Sequence, residues 1–190
     1  MTSSVPEEVR SMDESRPIRR PVASEPTRDE CLDTLFRRQY LALLRLAVVM
    51  VGDREAAEDV VQDAFLSLHQ NWRSVRDPKT AEVYLRSAVL NRCRSWVRRQ
   101  VTRRSARPLM LLRTELQSAE DTTLAREEVG VLVTLLRTLS TRQREVLACR
   151  FVLELSIAET AHQLGISEGA VKAHAHRGLQ VLQQRIEVTR

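Results

Sequence analysis

The chain is poor in lysine, glycine, cysteine and aromatic residues, and each shortage excludes something. Lys79 and Lys172 are the only lysines among 190 residues, so the formal charge of +5 is carried almost wholly by arginine. That bias alone is what a GC-rich coding sequence produces. The sequence pI near 9.7 permits a polyanionic partner without specifying one. Aromatics make up 4% and only five glycines occur, while helix formers such as Ala, Leu, Arg, Glu and Gln are plentiful. Strand-like alternation is scarce, so the expected fold class is all-α. Cys31, Cys93 and Cys149 stand far apart with no CxxC, which argues against a zinc site and for reduced structural thiols. There is no apolar leader at the N-terminus and no run of membrane-spanning length, so a soluble, cytoplasmic protein without membrane insertion is expected. No paired carboxylates, metal cluster or nucleophile–base spacing stands out. The expectation is therefore a non-enzyme with no catalytic residues, no metal and no cofactor.

The organisation comes next. Residues 1–28 mix Pro, Ser and both charges with few apolar side chains and cannot offset the cost of ordering, so a disordered tail is expected. Residues 29–107 and 124–190 carry helical periodicity and read as two small helical domains. Residues 108–123, with a proline, serines, threonines and acids, read as a flexible linker. Residues 32–51 predict a mostly apolar helix stopping at Gly52. The stretch DREAAEDVVQDAFLSLHQNW follows, with Asp53 as N-cap and one buried stripe of Ala57, Val60, Val61, Ala64, Phe65 and Leu68. Glu58, Asp59, Gln62 and Asp63 fall off that stripe; such charges are usually a solvated face. The third helical segment, after Asp77-Pro78, has an expected core stripe of Tyr84, Leu85, Ala88, Val89, Cys93, Trp96, Val97 and Val101. Between Val83 and Thr114 there is no acidic residue, while Arg86, Arg92, Arg94, Arg98, Arg99, Arg103, Arg104 and Arg107 accumulate. Uncompensated like charges repel, so this pattern points to phosphates. Trp72, Tyr84 and Trp96 can pack or stack on bases, and packing is the favoured reading for the tryptophans.

In the second block Ser140 and Gln143, then Ser156 and Glu159, stand in capping-box register. The segment SIAETAHQLG stops at Gly165, Ile166 plugs the turn, and Ser167 caps a last helix. On that helix Val171, Leu179 and Leu182, with Ala175 between them, continue the expected buried stripe. Lys172, His176 and Arg177 are left outward, flanked by Glu168 and His174. Two short helices around a glycine turn are the DNA-binding helix-turn-helix, whose second helix enters the major groove. His174 and His176, two residues apart on a helix, diverge and do not form a metal clamp.

The C-terminal stretch resembles both LuxR-type regulator domains and the −35-reading domain of sigma-70 factors. GDREAAEDVVQDAFLSL followed by YLRSAVLNRCRSWVRR separates them, because it resembles the core-binding, −10-reading domain of extracytoplasmic-function (group 4) sigma factors. A LuxR-type regulator would need a sensing domain, and the first half has no strands for one. The resemblance covers about 32–186. It implies a sigma factor that directs core RNA polymerase to promoters, with partners at the β′ clamp helices and the β flap, promoter DNA, and an anti-sigma factor as a further possible partner. It implies polymerase contact through Glu58, Asp59, Gln62 and Asp63. It implies −10 contacts through Asn91, Arg86, Arg92, Arg94, Arg98 and Arg99, and −35 contacts through Ser167, Glu168, Lys172, His176 and Arg177. The alternatives are a LuxR-type regulator or a clamp-binding adaptor that reads no promoter. The family's recognition helix often reads T-V-K-S-R-L-H-R-A; here Ala175 is small and Gly178 lies mid-helix, where glycine costs about 1 kcal/mol relative to alanine. A shifted promoter preference or a relaxed −35 grip is the expectation.

Overall fold

The computed structural model describes residues 27–72, 75, 77–105 and 123–189, and among these there is no strand. Of the expected tail 1–28, residues 1–26 lie outside the described residues, as do residues 108–122 of the expected linker 108–123; Thr27 and Arg28 instead cap and open the first helix, and Thr123 opens the fourth. Helix α1 (Arg28–Val51) begins behind Thr27 rather than near Leu32. Thr27 and Glu30 form a capping box: the Glu30 N–H donates to Thr27 Oγ1 at 3.4 Å, and the Thr27 N–H to Glu30 Oε2 at 2.8 Å. α1 ends as expected at Gly52, whose φ of 74° is left-handed and whose N–H donates to the Val48 carbonyl. α2 (Arg54–Gln70) is capped by Asp53, which accepts from the Ala56 N–H at 2.9 Å. α3 (Pro78–Ser105) opens with proline at its first position, behind an Asp77 carboxylate that accepts from the Thr80 N–H at 2.9 Å.

These three helices bury one another's apolar faces, with Leu43, Leu46, Met50, Val61, Leu68, Leu85 and Leu90 fully enclosed. Truncating any of the leucines to alanine costs about 2–5 kcal/mol. The α2 stripe is as expected, with Phe65 only half-buried. The α3 stripe differs. Ala81, Leu85, Val89, Leu90 and Cys93 are buried, Tyr84, Ala88, Trp96 and Val97 are half-buried, and Val101 is 58% exposed. The C-terminal part of α3 outruns the helices it packs against, so its periodic apolar positions lose their cover.

The second block holds α4 (Thr123–Arg137), α5 (Thr141–Leu147), α6 (Ile157–Leu164) and α7 (Glu168–Thr189). Both expected capping boxes are formed, at Ser140–Gln143 and Ser156–Glu159. α5 runs on into a π-helical turn, Ala148–Val152, instead of an uninterrupted α-helix. Glu154 follows in a left-handed conformation (φ 54°), the only non-glycine among the described residues to do so. The stripe on α7 also differs. Val171 and Gly178 are buried, Ala175 and Leu182 are half-buried, and Leu179 is 46% exposed. Gly178 is therefore a packing position. A Cβ there would stand 3.0 Å from Leu147 Cδ1, and the missing side chain lets α7 close on α5.

The two blocks share a buried boundary. The Arg144 guanidinium donates to the Met50 carbonyl of α1 at 2.9 Å and to the Leu139 carbonyl at 3.2 Å. Gln163 of α6 donates to Ser87 Oγ of α3 at 2.7 Å. Glu145 of α5, 1% exposed, accepts from Arg94 of α3.

Candidate polymerase and nucleic-acid interface

On α2 the buried stripe forces the remaining positions outward. Asp59, Gln62 and Asp63 are exposed, and Glu58 is partly covered by an ion pair with Arg54 at 2.9 Å. Asp63 lies 3.9 Å from Arg92 of α3. The acidic face adjoins an apolar groove between α1 and α2, lined by Leu32, Phe36, Phe65 and Leu66 with Gln62 at its edge. Phe36 stacks on Tyr40 at 4.7 Å and meets Phe65 at 5.0 Å. The reading of α1 as a core helix missed this groove. The available signal was Leu32 and Phe36, four apart at the N-terminal end of the face that carries Leu43, Ala47 and Met50.

On α3 the arginines separate into engaged and free. Arg86 pairs with Glu82 at 3.2 Å. Arg92 donates to Ser67 Oγ at 2.5 Å. Arg94 donates to Glu145 and, through its other arm, to Asn91 Oδ1 at 2.9 Å. Among the described residues the Arg98 guanidinium reaches only Ser95, at 3.3 Å, and Arg98 and Arg99 are exposed. Asn91 is exposed; with its carbonyl oxygen held, its NH2 group is free to donate. Arg103 and Arg104 contribute no described side chain, and Arg107 lies outside the described residues. Trp72, Tyr84 and Trp96 pack against the core, and the Tyr84 hydroxyl accepts from Asn71.

Around the block boundary, hydrogen bonding to Glu145 raises the affinity of Arg94 for its proton. Burial lowers that of Arg144, with the Arg137 charge adding to the effect. Burial pushes the thiols of Cys93 and Cys149 up to about 12, the Glu145 charge reinforcing it and Arg94 opposing it. Both stay protonated and unreactive at neutral pH, in keeping with structural thiols.

The helix-turn-helix is formed by α6 and α7. Gly165 takes the left-handed turn (φ 63°), and the Ile166 N–H donates to the Ala161 carbonyl at 3.0 Å. Ser167 Oγ accepts from the Ala170 N–H at 3.2 Å, so its expected contact role is shared with capping. The Ser156 hydroxyl holds the Glu159 carboxyl below its usual range. Ser167, Glu168, Lys172, His176 and Arg177 are all exposed along one end and face of α7. The buried Val171 and Gly178 fix that face outward, since they belong to the opposite side of the helix. Among the described residues no cluster of three His, Cys, Asp or Glu could hold a metal ion.

A helical block with an acidic face and an arginine-loaded helix, followed by a helix-turn-helix, defines a nucleic-acid-binding transcription protein. Residues 35–103 match the family model Sigma-70 region 2, and residues 130–182 match Sigma-70, region 4. The RNA polymerase sigma-E factor of Streptomyces avermitilis is 34% identical over 154 residues, covering 80% of this chain and 82% of that protein. The ECF RNA polymerase sigma factor SigM of Mycobacterium tuberculosis is 34% identical over 145 residues, covering 76% of this chain and 71% of that one. A co-crystal structure of the sigma factor RpoE with the anti-sigma factor NepR, from Bartonella quintana, matches in fold. Its TM-score is 0.62 at 21% identity, over 83% of this chain and 99% of that chain. The chain belongs to the extracytoplasmic-function sigma factors of the sigma-70 family. It is an RNA polymerase sigma factor, and nothing supports the LuxR-type or adaptor readings.

Proposed function

We propose that this sigma factor divides its work between residues 29–107, which hold core polymerase and take the −10 element, and residues 124–190, which read the −35 element. Residues 108–123 connect the two. The supporting observation is the order of surfaces along one chain: an exposed acidic face on α2, an exposed Asn91 among arginines on α3, and an outward Lys172-His176-Arg177 face on α7. Glu58, Asp59, Gln62 and Asp63 meet basic residues on the β′ clamp helices, and the second block sits on the β flap. Asn91 and the α3 arginines take unstacked −10 bases and their phosphates; flipping a base costs a few kcal/mol, which the phosphate contacts offset. Of the six −10 residues, Asn91, Arg98 and Arg99 are the ones open to solvent, so they carry first contact. The protein serves as a subunit rather than an enzyme, and it works in the cytoplasm beside the chromosome. No helix of the described residues is long and apolar enough to cross a membrane. An anti-sigma factor is a fitting partner, as a structural relative is bound to one.

Run-off transcription with core polymerase across a genomic promoter library tests this reading. Specific transcripts are expected only with both components, and the protein alone binds promoter duplex poorly. Tight duplex binding by the isolated protein with no effect on initiation would overturn it.

A further inference from the structure

We propose that Glu145 is an internal latch: it occupies Arg94 in place of a DNA phosphate and holds the second block closed on α3 until promoter and polymerase open it. The inference rests on the reading of α3 as the −10 helix and α7 as the −35 helix.

The geometry begins with scale. Elements at −35 and −10 lie about 25 base pairs apart, roughly 80 Å along B-form DNA. A compact chain of this length has a radius of gyration of about 16 Å and so spans roughly 40 Å. Here the block that carries α7 touches α3 itself. Glu145 contacts Arg94, and Gln163, one turn before the recognition helix, is 2.7 Å from Ser87 on α3. In this arrangement both elements cannot be read at once on straight DNA, so initiation requires the boundary to open.

The chemistry of the boundary is that of a contact made to break. Both Glu145 oxygens are taken, one by Arg94 across the boundary and one by Arg142 of its own helix at 2.9 Å. A carboxylate and a phosphate offer an arginine the same acceptors, so Glu145 stands where a phosphate would bind. The same Arg94 holds the Asn91 carbonyl oxygen, which ties the latch to the residue placed on the −10 bases. The boundary is also imperfectly satisfied. Arg94 Nη2, Arg86 Nε and Arg144 Nε are buried without a hydrogen-bond partner. A permanent interface would be apolar or fully paired. A desolvated ion pair with orphaned N–H groups adds little net stability to closure, because both charges regain water on opening. The latch therefore selects the closed geometry while leaving it within reach of a competing phosphate.

Two variants of the full chain carry the test, Glu145→Gln and Arg94→Gln, the second because Glu145 is almost fully enclosed while the Arg94 side chain is 31% exposed. The radius of gyration by small-angle scattering, helicity by circular dichroism, and affinity for a single-stranded −10 oligonucleotide are measured without polymerase. Wild type is expected to be compact. Both variants should keep wild-type helicity and expand, and E145Q should bind the oligonucleotide about tenfold more tightly as the open population rises. Should E145Q lose its helicity, R94Q alone decides the question of expansion. An extended wild type, or folded variants as compact as wild type, overturns the latch. Expansion of E145Q with no gain in oligonucleotide affinity supports the latch and refutes instead the assignment of Arg94 to −10 DNA.

Discussion

Two left-handed glycines allow the block boundary to be tested through stability alone. Gly52 and Gly165 have φ of 74° and 63°, so alanine at either meets the same left-handed strain of about 1–2 kcal/mol. Their surroundings differ. A Cβ at Gly165 would have nothing within 4 Å, whereas at Gly52 it would lie 2.7 Å from Arg137 Cδ and 2.8 Å from Arg137 Nη1. Gly52 ends α1 in the first block and Arg137 ends α4 in the second, so that contact exists only while the blocks are closed. Arginine is flexible and yields, losing the packing of its stem over Gly52, for which about 1 kcal/mol is a fair magnitude. Gly165→Ala should cost about 1–2 kcal/mol and Gly52→Ala about 2–3, and each 1 kcal/mol lowers Tm by about 2–4 °C in a chain of this size. The assay is chemical denaturation of both variants, repeated in an Arg137→Ala background. There the Gly52→Ala penalty should fall to that of Gly165→Ala, a coupling of about 1 kcal/mol. Equal penalties for the two glycines, with no coupling to Arg137, would refute the closed boundary as the solution state.

Asp59→Arg is expected to weaken core-polymerase binding at least tenfold while changing stability by less than about 0.5 kcal/mol, since the side chain is exposed; a pull-down titration together with a thermal melt separates the two. Asn91→Ala should slow open-complex formation, read by permanganate footprinting, while closed-complex affinity changes little. Lys172→Ala or Arg177→Ala should lower −35-dependent binding by holoenzyme and reduce the salt slope by about one unit, measured by binding at several ionic strengths. The buried thiols give a pH prediction. With folded values near 12 against an ordinary 9.0, Cys93 and Cys149 contribute stability that is complete below pH 9 and is lost as pH rises from 9 toward 12. The ceiling is about 4 kcal/mol per thiol. Alkaline unfolding monitored by thiolate absorbance in a Cys31→Ser background should show those two thiols ionising together with loss of helicity, not before it.

How far the fold was legible depended on how many partners each helix face has. α2 buries one face only, and its stripe from Ala57 to Leu68 reads directly at helical spacing. Asp59, Gln62 and Asp63 follow outward by elimination. The capping boxes at Ser140 and Ser156 are equally local and equally readable, and so are the glycine stops at Gly52 and Gly165. α3 was misread because it serves two partners, the first bundle and the second block. Its buried set therefore includes Leu90 off the simple stripe, extends the stripe one turn back to Ala81, and loses Val101 at its far end. Arg144 and Glu145 mark the limit of pattern reading. Two adjacent charges just inside a capped helix have the signature of a water-facing turn. Only their distant partners, Met50 and Arg94, make them interior, and no window of sequence contains both ends of those contacts. Gly178 makes the same point in reverse. As a helix residue it reads as a defect costing about 1 kcal/mol. With Leu147 Cδ1 at 3.0 Å from where its Cβ would be, glycine is what lets the recognition helix seat against α5. Any gain in helix propensity from alanine would be opposed by pushing α7 off α5, and with it the outward face of Lys172, His176 and Arg177. The reading of Gly178 as a helix defect is therefore replaced by one in which it is a packing position between α7 and α5.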